Sequence, residues 1–182
     1  VSPVNCLLAQ LNIRYSKREE VKTIEEIEHP KVRECLKFLN EDKGIEMVHT
    51  SDIPAMSGMG SSSSFTVGLL HALHALQGRM ISKHELALDA IHIEQDRAAE
   101  NVGSQDQVAA AFGGFNRIEF KGDHVISVHP IIMKTDRLKE LEKNCMLFFT
   151  GFQRTASDIV GEQIQNIPKK NGSAFELDYV GV

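Results

Sequence analysis

The chain has 182 residues, 42% of them hydrophobic and 25% charged, with a formal net charge of −5; this is enough apolar content for one buried core and part of a second domain, and no basic stripe favours nucleic acid or an anionic membrane as a partner. No apolar run approaches the roughly 18 residues of a membrane span. Cys6, Cys35 and Cys145 are odd in number and far apart, which argues against a disulfide framework or a zinc site and for a reducing, cytoplasmic setting.

The opening VSPVNCLLAQ has neither Met nor a charged leader and reads as starting inside a longer gene product. LNIRYS (11–16) alternates like a half-buried strand, and an amphipathic helix is expected from Pro30 to Leu39. GIEMVHTSDIP (44–54) reads as a strand running into a Gly/Ser loop. After it, Phe65, Leu69, Leu70, Leu73 and Leu76 fall at helical spacing until Gly78. Ser82 and Glu85 form a capping box for a helix running to about Glu100, with Leu86, Ala90 and Ile93 on its apolar face. Residues 103–114 form a third helix, with Ser104 and Gln107 as a second capping box and Gly113-Gly114 as its stop. FNRIEF and HVISVHPII read as a β-hairpin, TDRLKELEKN as a charged helix, and CMLFFT (145–150) as a buried strand. The last stretch, from Asp158, starts helical and loses its period at Pro168.

IPAMSGMGSSSSF (53–65) carries the chemistry. A strand, then glycines, then a helix opening on serines leaves unpaired backbone N–H groups at the positive end of a helix dipole, and glycine lets an anion approach that backbone closely. The serine hydroxyls can cap the helix, donate to phosphate oxygens or ligate magnesium. A flexible connector is the alternative, but the run is short and lies between a strand and a strongly patterned helix. Neither G-x-x-x-x-G-K-[ST] nor G-x-G-x-x-G is present, so a different nucleotide-binding loop is required.

Pro54, Gly58, Met59, Gly60, Ser61, Ser62 and Ser63 resemble the P-x-x-x-G-L-G-S-S-A signature of the GHMP kinases, with Met for the usual Leu and Ser63 for the usual Ala. IHIEQDRAAENVGSQDQVAAAFGGFNRIEF (91–120) is similar to that superfamily's second active-site block, and the wording of GSSSSFTVGLL, ENVGSQDQ and FGGFNRIEF resembles the D-glycero-D-manno-heptose 7-phosphate (or 1-phosphate) kinase group. The resemblance implies that Gly58, Met59, Gly60, Ser61, Ser62, Ser63 and Ser64, behind Pro54, hold the triphosphate of ATP. Ser62 (runner-up Ser61) and Glu94 would ligate Mg2+, and Asp106 would take or orient the proton of the acceptor hydroxyl. Read without the family, Asp106 is a helix-stabilising acid in a first turn, and Glu94 lies next to the apolar face of its helix. Arg154 and Thr155, after the apolar CMLFFT, fall in a segment that lines the substrate site in such kinases; a surface arginine near a hinge is the plain alternative. His71 and His74, at i and i+3, read as partly exposed polar positions rather than metal ligands.

The resemblance implies an α+β fold: a GHMP N-terminal-type domain over 1–150, with a mixed, mostly antiparallel sheet backed by helices and a left-handed βαβ crossover. Residues 151–182 would be the start of a truncated ferredoxin-like C-terminal domain or a disordered tail. The family's first-strand motif and its third, Gly-rich motif are not found, so the sequence does not identify a catalytic cation. The expected function is ATP- and Mg-dependent phosphorylation of a sugar hydroxyl, with a heptose phosphate as acceptor and neither nucleic acid nor membrane as partner. A fucose, galactose or mevalonate kinase and a non-catalytic nucleotide- or sugar-binding module are the alternatives.

Overall fold

The computed structural model describes residues 1–3, 11–53, 58–121, 125–148 and 179–181. Pro54, Arg154, Thr155 and the helix expected from Asp158 lie outside them.

The chain begins with β1 (Ser2–Pro3), β2 (Leu11–Arg14), β3 (Arg18–Val21) and a 3-10 turn (Ile24–Glu26), followed by α1 (Pro30–Phe38) and β4 (Ile45–Val48). β2 and β3 form a hairpin, and β4 returns parallel to β2, with Ile13 opposite Met47. The strand order β1-β4-β2-β3 therefore contains one parallel and two antiparallel pairings, a mixed and mostly antiparallel sheet as expected. Leu11, Ile13, Ile45 and Met47 point to one face, following the two-residue period of a strand, and meet Val32, Cys35 and Leu36 of α1. Pro30 starts α1 at a position where its missing N–H costs nothing, and the His29 ring accepts from the Val32 amide.

The helices that follow are α2 (Ser61–Leu76), α3 (Lys83–His92) and α4 (Gln105–Phe112). Leu69, Leu70 and Leu73 of α2 and Leu86 and Ala90 of α3 complete the main core. Ala87 and Ile91 of α3 and Val108 of α4 form a second cluster with Ile118, on a later strand. The Ser82–Glu85 capping box forms with both of its bonds. The second expected box does not: Ser104 makes no cap bond, its hydroxyl accepts from Gln95 instead, and the Gln107 amide is drawn into the protein interior. Nor does α3 continue regularly to Glu100. From Ile93 to Arg97 it widens into a π-turn, closed by the Ala98 N–H on the Ile93 carbonyl at 2.8 Å, and Ala99 follows at φ +52°.

β5 (Asn116–Lys121) and β6 (Val125–Pro130) make the expected hairpin, and β7 (Tyr179–Gly181) adds antiparallel to the other edge of β5. α5 (Thr135–Lys143) is present and buries none of its residues. Two sequence expectations are corrected here. Residues 145–148 of CMLFFT form no strand, and Met146, Leu147 and Phe148 are exposed: no strand among the described residues pairs with them, and an unpaired apolar run gains nothing from an extended conformation. His74 is buried, not partly exposed, and 3.6 Å from Asp89 Oδ2, while His71 faces outward; three residues advance a helix by only about 300°, enough to carry one ring across the edge of the core.

Candidate phosphate-binding site

α2 opens on Gly60, whose φ of +65° is left-handed and unfavourable for any residue with a Cβ. Gly60 occupies the N-cap and has no side chain to satisfy the amides of the first turn. The first intrahelical bond, from the Ser64 N–H to the Gly60 carbonyl at 2.9 Å, leaves the Ser61, Ser62 and Ser63 N–H groups without a partner within the helix. No acidic side chain of α2 lies in that turn. The start of a 16-residue helix thus presents uncapped donors at its positive end, the arrangement that holds an anion.

Asp106 lies directly beside it. A Cβ built on Gly60 would come within 3.3 Å of Asp106 Cγ and Oδ2. Asp106 is in the first turn of α4, so two helix N-termini converge on one half-exposed carboxylate, whose other oxygen accepts from Gln105 Nε2 at 3.3 Å. Gly60 is required twice, by backbone angle and by space. Gly60→Ala is therefore expected to cost about 1–2 kcal/mol of stability, to lower Tm by roughly 2–8 °C, and to push Asp106 away from the loop. A Tm within about 1 °C of wild type would contradict this.

Under the loop lies a buried polar network centred on Glu94, in the π-turn. Glu94 Oε1 accepts from Lys31 Nζ at 2.8 Å and from Thr66 Oγ1 at 2.6 Å; Oε2 accepts from Ser63 Oγ at 2.8 Å and from Gln107 Nε2. Lys31 also donates to Ser62 Oγ at 2.6 Å and lies 2.9 Å from Glu100. Four elements, α1, α2, the π-turn and α4, are tied to one carboxylate. Burial pushes the Glu94 carboxyl up, but the Lys31 ammonium and the hydrogen bonds from Lys31, Thr66 and Ser63 outweigh it and hold the group below its ordinary value.

The four serines divide by role. Ser63 is buried and spends its hydroxyl on Glu94, and the Ser62 hydroxyl faces the Lys31 ammonium. Ser61 and Ser64 line a cleft of about 370 Å³ on the β4 side of α2, whose walls include Met47, Ile53, Met59, Phe65 and Leu69. The structure therefore brings Gly60 to Asp106, and Ser62 and Ser63 to Glu94. It does not offer Glu94 as an open metal ligand, because its oxygens are engaged by Lys31, Thr66, Ser63 and Gln107. Ser62 meets Glu94 through the Lys31 ammonium, and no group of three or more His, Cys, Asp or Glu able to hold a metal occurs among the described residues.

Lys31 and Thr66 are absent from the sequence analysis, and Gln107 enters it only as a helix cap. Lys31 carried a signal. Lys31, Val32, Cys35 and Leu36 are the buried residues of α1, so a lysine stands at a core position of the helical stripe, and lysine is almost never fully buried unless paired. Its partners lie 31 and 63 positions away, where no local period reaches.

Residues 21–114 match the family described as the GHMP kinases N terminal domain. The chain is 39% identical over 113 residues to a D-glycero-alpha-D-manno-heptose 7-phosphate kinase of Campylobacter jejuni, a match covering 62% of this chain and 33% of the relative. It is 29% identical over 111 residues to a galactokinase of Pyrococcus furiosus, covering 61% and 30%. The structure superimposes on a D-glycero-D-manno-heptose 1-phosphate kinase from Bacteroides thetaiotaomicron with a TM-score of 0.69 at 27% identity, covering 78% of this chain and 49% of that one. The chain thus spans about a third of the length of these curated relatives and about half of the solved structure.

Proposed function

Because the chain belongs to the GHMP kinase family, we propose that it is the nucleotide-holding part of a sugar kinase that moves the γ-phosphoryl group of ATP to a hydroxyl of a heptose phosphate in the cytoplasm. The observation that carries this reading is the uncapped start of α2, with the Asp106 carboxylate 3.3 Å from the Gly60 Cβ position. The amides of Ser61, Ser62 and Ser63 hold phosphate oxygens, and the apolar cleft bounded by Met47, Ile53, Met59 and Phe65 adjoins them at a size that suits a nucleotide base. Asp106 accepts or orients the proton of the acceptor hydroxyl. Phosphoryl transfer asks the protein for positioning and charge stabilisation and little covalent chemistry, so a rigid donor loop and one aimed carboxylate are the parts it needs. Magnesium enters in this reading with the phosphates of the nucleotide, whose oxygens are its preferred ligands. The Glu94 network keeps the loop in shape from below.

The heptose phosphate is favoured over other sugars by the higher identity to the heptose kinase than to the galactokinase. A coupled assay of ADP release on the full-length gene product, across heptose 7-phosphate, heptose 1-phosphate, galactose, fucose and mevalonate, is expected to give a heptose phosphate the highest kcat/KM by about tenfold or more, a difference of some 1.4 kcal/mol in transition-state binding. Preference for galactose would overturn the substrate, and nucleotide binding without turnover on any acceptor would leave a binding module.

A further inference from the structure

The buried surroundings of Glu94 go beyond the reading above, which uses them only as support. The carboxylate is fully buried, and its two oxygens accept from four protein donors, one of them an ammonium. A carboxylate offers about four lone-pair sites, so the protein fills the set. Lys31 is itself 4% exposed; its ammonium donates to Glu94 Oε1 at 2.8 Å and to Ser62 Oγ at 2.6 Å, and forms an ion pair with Glu100 Oε2 at 2.9 Å. The ammonium therefore stands between the serine hydroxyl and the carboxylate that a divalent cation would bridge. A cation bound there as well would have to share that space with a like charge in a medium of low dielectric, which is strongly unfavourable.

We infer that Lys31 is the resident cation of this site: its ammonium occupies the place of a divalent metal between Ser62 and Glu94, so the chain holds no metal of its own at the loop. Lys31 is then a positioning residue. It fixes the Ser62 hydroxyl and, through Glu94, the Ser63 hydroxyl, and so sets the shape of the first turn of α2. Removing the ammonium leaves two carboxylates, Glu94 and Glu100, and the two serine hydroxyls facing one another, an all-oxygen set that suits a hard divalent cation.

The test uses Mn2+ alone, without nucleotide, so it succeeds or fails independently of whether the chain belongs to a working kinase. Mn2+ favours the same oxygen ligands as Mg2+ and reports its free concentration by its paramagnetic resonance signal. With the wild-type chain, the free signal is expected to be unchanged by protein up to about 1 mM Mn2+, a range in which a built site of oxygen ligands would fill, and Glu94→Gln is expected to behave identically. Lys31→Met is expected to bind Mn2+ about tenfold or more tightly than wild type and to gain Tm on its addition. Both gains should vanish in Lys31→Met combined with Glu94→Gln. Uptake of Mn2+ by the wild type that Glu94→Gln abolishes would overturn the inference, as would a folded Lys31→Met that gains no affinity. Should Lys31→Met fail to fold, the comparison of wild type with Glu94→Gln decides alone.

Discussion

Asp106→Asn is expected to lower phosphoryl transfer by the full-length gene product about 10²–10⁴-fold, the usual worth of a positioned acid or base, while nucleotide affinity stays within about twofold of wild type, a fraction of a kcal/mol. The substitution keeps the shape that lies against Gly60, so the loop is undisturbed, and it removes only the negative charge and the ability to take a proton. The contrasting reading makes Asp106 a helix-stabilising acid in the first turn of α4, a role worth about 0.3–1 kcal/mol of stability and nothing in rate. Parallel measurement of kcat and Tm separates the two. A drop in Tm with unchanged kcat would remove Asp106 from the chemistry.

The second large effect lies beneath the loop. Removing one partner of a buried ion pair costs about 3–5 kcal/mol, because the other charge is left without compensation. Glu94→Gln leaves Lys31 with Glu100, which is only partly buried, and the expectation is therefore about 3 kcal/mol, a Tm lower by roughly 6–12 °C for a chain of this size. Acid should have a related effect. The folded-state pKa of Glu94 lies below its unfolded value, so the network contributes stability above the unfolded carboxyl range and loses it as pH falls through the folded value. The stability difference between wild type and Glu94→Gln is thus expected to narrow as pH drops below about 4.3. A difference that is small at neutral pH, or that grows on acidification, would contradict the role of Glu94 as the ionised centre of the network.

Much of the architecture was legible because local signals agreed with tertiary ones. The start of α2 shows in the glycines and serines, its length in the leucine period, its end in Gly78, and α3 in a capping box that forms as read. The parallel return of β4 to β2 is of another kind: the βαβ crossover is implied by the family resemblance, and periodicity does not give it. What escaped depends on contacts between distant parts of the chain. The π-turn at Ile93–Arg97 leaves no mark on hydrophobic period, since Ile93 remains buried in either geometry, yet it is the segment that presents Glu94 to the donors of three helices. Gln107 was read as a capping residue because of its spacing from Ser104, but a buried carboxylate is a stronger attractor for its amide than a helix end open to water. CMLFFT failed for the opposite reason: its composition favours a strand, but a strand needs a neighbour, and the described residues provide none.

The central claim is that the first turn of α2 is where a nucleotide polyphosphate sits. Amide exchange of this chain, followed residue by residue with and without saturating ATP, tests it most directly. At about a hundredfold excess over Kd, ATP should slow exchange at Gly60, Ser61, Ser62 and Ser63 more than elsewhere and raise global stability by about 2.7 kcal/mol. Protection that appears at another part of the molecule, or no protection with unchanged stability, would contradict the account.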